Sequence, residues 1–320
     1  MSIESFGPLQ PGPGERAHGM VSVPGLHPPW EIPAFVVRGG SPGPTLVVTA
    51  GMHAAEYPPI EAVTRLCRTT DPSSLSGTLV GVPLVNSPAF FERTIYVNPR
   101  DGKNVNRMFP GDANGTDSQR VARYLTDTLL AHADAYVDVH AGDLIEALVP
   151  FTLYARTGKA EADATSRAMA ASYGLGYMLG TQIDSVPGAA YAAAAELGVP
   201  AMIAEIGQQG VYDQASVQRH VAGLQNVMGV VGLTPAGPPP ATEPVDMKEF
   251  AWLRTDVSAT YHPTVAVGDA VEKNAVIGEL HDLFGETIRE LQSPGTGTVL
   301  FLVTSLAVKA GDPLVGVGVP

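Results

Sequence analysis

Cysteine is nearly missing from this chain: Cys67 is the only one in 320 residues. An internal disulfide and every cysteine-based zinc or redox motif are therefore excluded. Val63 and Leu66 share its helical face, which reads as a buried, inert thiol. Cations are scarce as well. Lys+Arg total 19 against 32 Asp+Glu, a formal charge of −13, and that balance argues against nucleic acid or an anionic membrane as a partner. No run of 18 apolar residues occurs, so no membrane-spanning helix is expected. The segment Met1–Arg16 carries Glu4, Pro11, Pro13 and Glu15 and has no apolar stretch of the signal-peptide kind. A cytoplasmic location is the resulting expectation. The G-x-S-x-G elbow and the P-loop are absent, and Gly174-Leu175-Gly176 lacks the rest of a dinucleotide fingerprint.

What is present is a core-forming α/β chain. Hydrophobic residues make up 45% of it, enough for a large globular domain with a smaller one attached. Thr45–Thr49 is apolar on both faces, as a central parallel strand requires. It is followed by a helix over residues 55–68, with Ile60, Val63, Leu66 and Cys67 on one face, and by a strand at Thr78–Val85. A long Asn/Pro/Gly-rich loop over residues 86–116 has the length of a functional loop. Beyond it, helices are expected at 117–131, 159–173, 188–197 and 214–231, and strands at 136–139, 151–155 and 200–206. This alternation predicts a mostly parallel central sheet with helices on both faces. Ligands in such sheets collect at strand carboxyl ends.

Pro235, Pro238, Pro239, Pro240 and Pro244 mark a stiff linker. After it, short alternating segments (264–267, 276–280, 287–291, 298–303, 314–319) separated by Gly-containing turns predict a small all-β domain. The expected organisation is a catalytic domain at 1–234, a linker at 235–247 and a β domain at 248–320. The β domain's turns resemble those of biotinyl and lipoyl carriers. The turn at Leu283-Phe284-Gly285-Glu286 has no lysine to modify, so a structural cap is the reading taken.

Several residues could do chemistry. His53 and Glu56 follow the Gly51 turn directly after a buried strand, at H-x-x-E spacing. Such a pair also recurs by chance on protein surfaces. His140 closes the next short strand in Asp138-Val139-His140, where Asp138 shares its face and could orient either histidine. Two histidines and one carboxylate with a fourth position left for water match a catalytic zinc site, whereas Mg²⁺ or Ca²⁺ would ask for oxygen ligands. Four of the 19 cations, Arg93, Arg100, Lys103 and Arg107, fall within 15 residues, which suggests an anion-recognition loop. Glu205 ends an apolar run, where a carboxylate needs a partner or a task. His18, His27, His132, His220, His262 and His281 lack ligand-like spacing.

Together these segments resemble the succinylglutamate desuccinylase/aspartoacylase family: Gly51-x-His53-x-x-Glu56, then Asp101-Gly-Lys-Asn-Val-Asn-Arg-x-Phe-Pro-Gly111, then Asp138-x-His140 and Glu205-x-Gly207. The resemblance spans about residues 45–210 in the family's order. It implies a zinc-carboxypeptidase-like fold and one Zn²⁺ per chain, held by His53, Glu56 and His140. It further implies Asn106 and Arg107 as substrate-binding residues and Glu205 as general base. The family's carbonyl-polarising arginine corresponds to Arg93, with Arg100 the alternative and otherwise a substrate contact. Two positions depart from the pattern, Ala54 for Gly and Val105 for Leu, and neither removes a ligand. The activity implied is hydrolysis of the amide of a small N-acylated amino acid or amine, with Glu205 taking the proton of the attacking water and returning it to the departing amine. A carboxypeptidase-like peptidase and a non-catalytic binding protein of the same fold are the rival readings. Neither nucleic acid nor membrane is an expected partner. A homo-oligomer is allowed, and the sequence does not indicate one.

Overall fold

The structure, a computed structural model, describes residues 3–320. Its first unit runs β1 (Arg16–Ser22), β2 (Glu31–Arg38), β3 (Ser41–Ala50), α1 (Tyr57–Thr69), β4 (Ser76–Val82), α2 (Ser87–Phe90), α3 (Asp117–Thr128), β5 (Ala135–His140), β6 (Glu146–Leu148), β7 (Phe151–Arg156), α4 (Ala160–Ser172), β8 (Tyr177–Gln182), α5 (Ala190–Glu196), β9 (Ala201–Glu205), α6 (Gln214–Val231) and β10 (Val245–Met247). Nine of these strands form one sheet in the order β1-β2-β4-β3-β5-β9-β7-β8-β10. Neighbours are parallel except at β1–β2, β2–β4 and β7–β9, so the mostly parallel sheet expected from the alternation of elements is what forms.

Why β3 and β5 occupy the centre is plain from their side chains. Every residue of β5 is buried, as are the last six of β3, and strands apolar on both faces must be covered on both. One face carries α3 and α5 over a core with Trp30, Val47, Leu125 and Tyr191. The other carries α1, α4 and α6 over Val63, Leu66, Cys67, Met169 and Leu224. Pro58 and Pro59 open α1, where their missing N–H groups cost nothing. Gly232 closes α6 in a left-handed conformation with its N–H on Met228. Cys67 is fully buried and its thiol is pushed up to about 12 by that burial, in keeping with an inert side chain.

The second unit comprises β11 (Glu249–Arg254), β12 (Ala259–Pro263), β13 (Ala270–Val271), β14 (Val276–His281), β15 (Thr287–Gln292), β16 (Gly297–Val303), β17 (Ala307–Val308) and β18 (Pro313–Val319). They make two antiparallel sheets, β11-β18-β16-β13 and β15-β14-β12-β17. The strand expected at 264–267 does not form, and the chain pairs earlier, at β12. Two features join the units. β6 leaves the first and pairs with β16, Leu148 opposite Phe301 and Glu146 opposite Val303. Phe151, Leu179, Met247 and Leu300 form a buried cluster across the junction. The proline-rich stretch ends sooner than the sequence suggested, because Val245–Met247 pairs with β8. No helix among the described residues is long and apolar enough to cross a membrane.

Candidate metal centre and active-site cavity

The chain leaves β3 through Gly51, whose φ of 63° is left-handed. A Cβ there would meet Leu84 at 2.8 Å, so a side chain is excluded on two grounds. This turn delivers His53 and Glu56, and His140 ends the adjacent β5. One potential ligand atom from each of the three lies within 4.8 Å of the others. The predicted triad is thus assembled at strand carboxyl ends.

Hydrogen bonding fixes how the imidazoles face. His140 Nε2 lies 2.9 Å from Asp138 Oδ2, and His53 Nε2 lies 3.2 Å from Asn104 Oδ1. With both Nε2–H groups donating outward, both Nδ1 atoms turn lone pairs towards Glu56, His53 at 2.7 Å from Oε1 and His140 at 2.9 Å from Oε2. Acceptors facing acceptors in a buried site require a shared proton or a metal cation. The donor set fits a metal ion on that observation, two imidazole nitrogens and one carboxylate being a zinc-like combination. The electrostatics agree. Burial works against charge on His140, yet Asp138 and Glu56 outweigh it and hold its pKa well above the ordinary value. Burial would raise Glu56 too, but the two imidazoles bring it down to about 2. The pocket therefore favours positive charge at the point where the three donors meet.

Asp138 is itself held on both oxygens. Tyr136 Oη donates to Thr49 Oγ1, which donates to Asp138 Oδ1 at 2.7 Å. Asn106 Nδ2 donates to Oδ2 at 3.2 Å. Asn106 Oδ1 accepts from the Ala190 amide at 2.8 Å and the residue is 2% exposed. Asn106, expected to touch substrate, lines the cavity above the triad, and its Nδ2 group also braces the Asp138–His140 pair.

A cavity of about 740 Å³ opens over the triad. Arg107 and Glu205 line it, with Tyr96, Glu146, Phe151 and, from the second unit, Lys248, Phe250, Trp252, Arg254 and Phe301. Among the described residues no hydrogen bond is made to the Glu205 carboxylate, and burial, reinforced by Glu56, Glu146 and Asp138, raises its pKa well above the usual range despite the opposing His140. Burial and the nearby Arg254 hold the Arg107 guanidinium below its ordinary value. Glu146 accepts from Tyr96 Oη at 2.7 Å and from the Asp143 amide at 2.9 Å, and burial pushes it up to about 7.

Two predicted residues stand apart. Arg100 pairs with Asp117 at 2.6 Å and lies over the Trp30 ring, 5.5 Å from its centroid. Arg93 is exposed on the long loop, and neither arginine lines the cavity. Sequence reasoning took the cation cluster as a unit, whereas the fold turns Arg107 alone to the cavity. It missed Glu146, Tyr96, Trp252 and Arg254 altogether. No motif marks them, and β11 was not recognised as a strand.

The fold and the site thus define an α/β protein with a His/Glu/His cluster able to hold a metal ion at the carboxyl edge of its sheet. Comparison with known proteins narrows this further. The family model "Succinylglutamate desuccinylase/Aspartoacylase catalytic domain" matches residues 42–231, and the chain belongs to that family. An N-alpha-acetyl-L-2,4-diaminobutyric acid deacetylase of Halomonas elongata is 29% identical over 260 residues, 79% of this chain and 74% of the relative. The product-bound ectoine utilization protein EutE (DoeB) of Ruegeria pomeroyi superposes with a TM-score of 0.85 at 26% identity over 95% of both chains. A succinylglutamate desuccinylase/aspartoacylase of Rhodobacter sphaeroides does so with 0.83 at 27% identity, over 94% of this chain and 95% of that one.

Proposed function

We propose that this protein is a zinc-dependent amidohydrolase that removes the acyl group from a small N-acylated amino acid or amine. The observation that carries the proposal is the pair of Nδ1 lone pairs converging with Glu56 beneath a cavity that also holds the unpartnered carboxylate of Glu205. The family and the deacetylase relative support the same class. A zinc ion held by His53, Glu56 and His140 would supply Lewis acidity, polarising the acyl carbonyl and making water acidic.

The protein's own groups account for the rest. Glu205 takes the proton of the attacking water and delivers it to the departing amine, and its raised pKa suits an acid–base shuttle. Arg107, read from the sequence as a substrate contact, lines the cavity and can meet a substrate carboxylate or the oxyanion, the latter a task the sequence had assigned to Arg93 or Arg100. Thr49, Asp138 and Asn106 keep His140 in one tautomer. Metal-replete protein is expected to release free amine from N-acyl amino acids, to lose that activity in chelator and to regain it with zinc. A metal-replete chain inert to every N-acyl amino acid, or equally active on peptides, would overturn the reading.

A further inference from the structure

β11 is an edge strand whose two faces differ in kind. Ala251 and Leu253 pack into the core of the second unit, while Phe250, Trp252 and Arg254 line the active-site cavity. The core does not use all of this aromatic surface: Trp252 remains 44% exposed, and a large aromatic surface left open inside a cavity is one that a ligand covers. The rings form a continuous wall. Centroid separations are 5.4 Å for Phe151–Phe250, 4.7 Å for Phe250–Trp252 and 5.1 Å for Trp252–Phe301.

The neighbouring strand makes room for this wall. Along β18, Val315 and Val317 face the core, and Gly316 and Gly318 sit opposite Trp252 and Phe250. A Cβ on Gly316 would meet the Phe250 ring at 2.0 Å, so the ring packs against bare backbone. The wall ends in a cation. The Arg254 guanidinium lies 5.7 Å from the Trp252 centroid, with one hydrogen bond, to the Gly311 carbonyl at 3.1 Å. Among the described residues neither Arg254 nor Arg107 has a carboxylate partner, and the two are near enough to affect each other. Two guanidinium groups facing one cavity, neither in a salt bridge among the described residues, are a site for an anion of the substrate.

We propose that β11 sets the substrate class: the Phe250–Trp252 wall takes an aromatic-sized apolar group, and Arg254 together with Arg107 holds a carboxylate on the same part of the substrate. The proposal rests on the deacylase reading above and names what that reading left open. The substrate class is then N-acyl derivatives of bulky apolar amino acids, in preference to short polar ones. A cavity of about 740 Å³ is in the range that encloses a ligand of that size.

The test uses the full-length, zinc-loaded protein with N-acetyl-L-phenylalanine, N-acetyl-L-alanine and N-acetyl-L-phenylalaninamide. Expected is a kcat/KM about tenfold or more higher for the phenylalanine compound than for the alanine compound. Trp252→Ala should collapse that ratio, and Gly316→Val should do the same by displacing Phe250. Arg254→Gln should reduce the preference for the acid over the amide about tenfold, mainly through KM. Thermal melts show whether each variant is folded, and Trp252, being partly exposed, can be replaced without opening a core. A wild-type ratio near one, or a ratio unchanged in folded Trp252→Ala, overturns the proposal.

Binding separates the two readings. The chain has two tryptophans, of which Trp30 is fully buried, so ligand-dependent emission reports on Trp252. No hydrolysis, but tighter binding of N-acetyl-L-phenylalanine than of the other two, would sink the deacylase reading and sustain this one. Hydrolysis without that order would do the reverse.

Discussion

Asp138 Oδ2 lies 2.9 Å from His140 Nε2, two residues along the same strand face and fully buried. The contact decides which imidazole nitrogen carries a proton and leaves Nδ1 free to face Glu56. Asp138→Asn keeps the shape but removes the charge and permits the wrong tautomer. Metal affinity should fall about 10–100-fold, measured by competition with a calibrated chelator. Unchanged affinity would mean that the pair contributes packing alone.

Glu205→Gln separates acid–base work from metal binding. The side chain is not one of the three converging donors, so metal content should stay at one ion per chain. Turnover of the best N-acyl substrate should fall by about 10²–10⁴. Loss of metal along with activity would reassign Glu205 as a ligand.

His220 supplies a pH test of stability away from the cavity. It is fully buried, with Nδ1 2.9 Å from the Tyr173 hydroxyl and Nε2 3.0 Å from the Ile206 carbonyl. Both neighbours are satisfied by a neutral ring, and burial lowers the pKa from 6.5 to about 4. The unfolded chain therefore binds a proton near pH 6.5 that the folded chain refuses until about pH 4. Unfolding free energy should rise with pH across that window. The contribution is fully present above pH 6.5 and lost on acidification, up to about 3 kcal/mol in all. Urea titrations of metal-free wild type and His220→Gln between pH 4.5 and 7 check this. The wild type should show the steeper slope by about one proton, and parallel slopes would refute it.

How much of this was legible depended on whether a residue's task is local. β3, Gly51 and the His53–Glu56 pair announce themselves because a buried strand, a turn and two ligands are contiguous. α6 was read to the residue, since Asp213 and Gly232 cap a clean pattern. Strand direction was not legible: β7 runs antiparallel to β9, and period alone carries no direction. β8 was missed because Gly180 interrupts a short apolar run, and a Cβ there would strike Arg156 and Tyr154. β11 was missed because its outward face is aromatic and cationic where an exposed edge should be polar. That breach of the usual pattern is what marks it as part of the cavity. Arg100 looked like a substrate ligand only until Asp117 and Trp30 were found beside it.

The same non-locality bears on the second unit, which the sequence presented as a small domain capping the active site. Glu146 pairs with Val303 across the junction, and its carboxylate holds Tyr96 Oη and the Asp143 amide. Asp143 in turn accepts from the Tyr96 amide at 2.9 Å, and the Tyr96 ring meets His53 edge-on at 5.8 Å. β16 therefore reaches the His53–Glu56–His140 cluster through β6 and Tyr96. A chain ending at Met247 would leave β6 without its partner and uncover Phe151, Leu179 and Met247, a continuous apolar surface. Such a chain should aggregate, or, if kept soluble, bind metal more weakly and show faster amide exchange over residues 143–149. A true cap would behave otherwise, and a soluble chain of 247 residues with unchanged metal affinity would show that the two units are joined without being coupled.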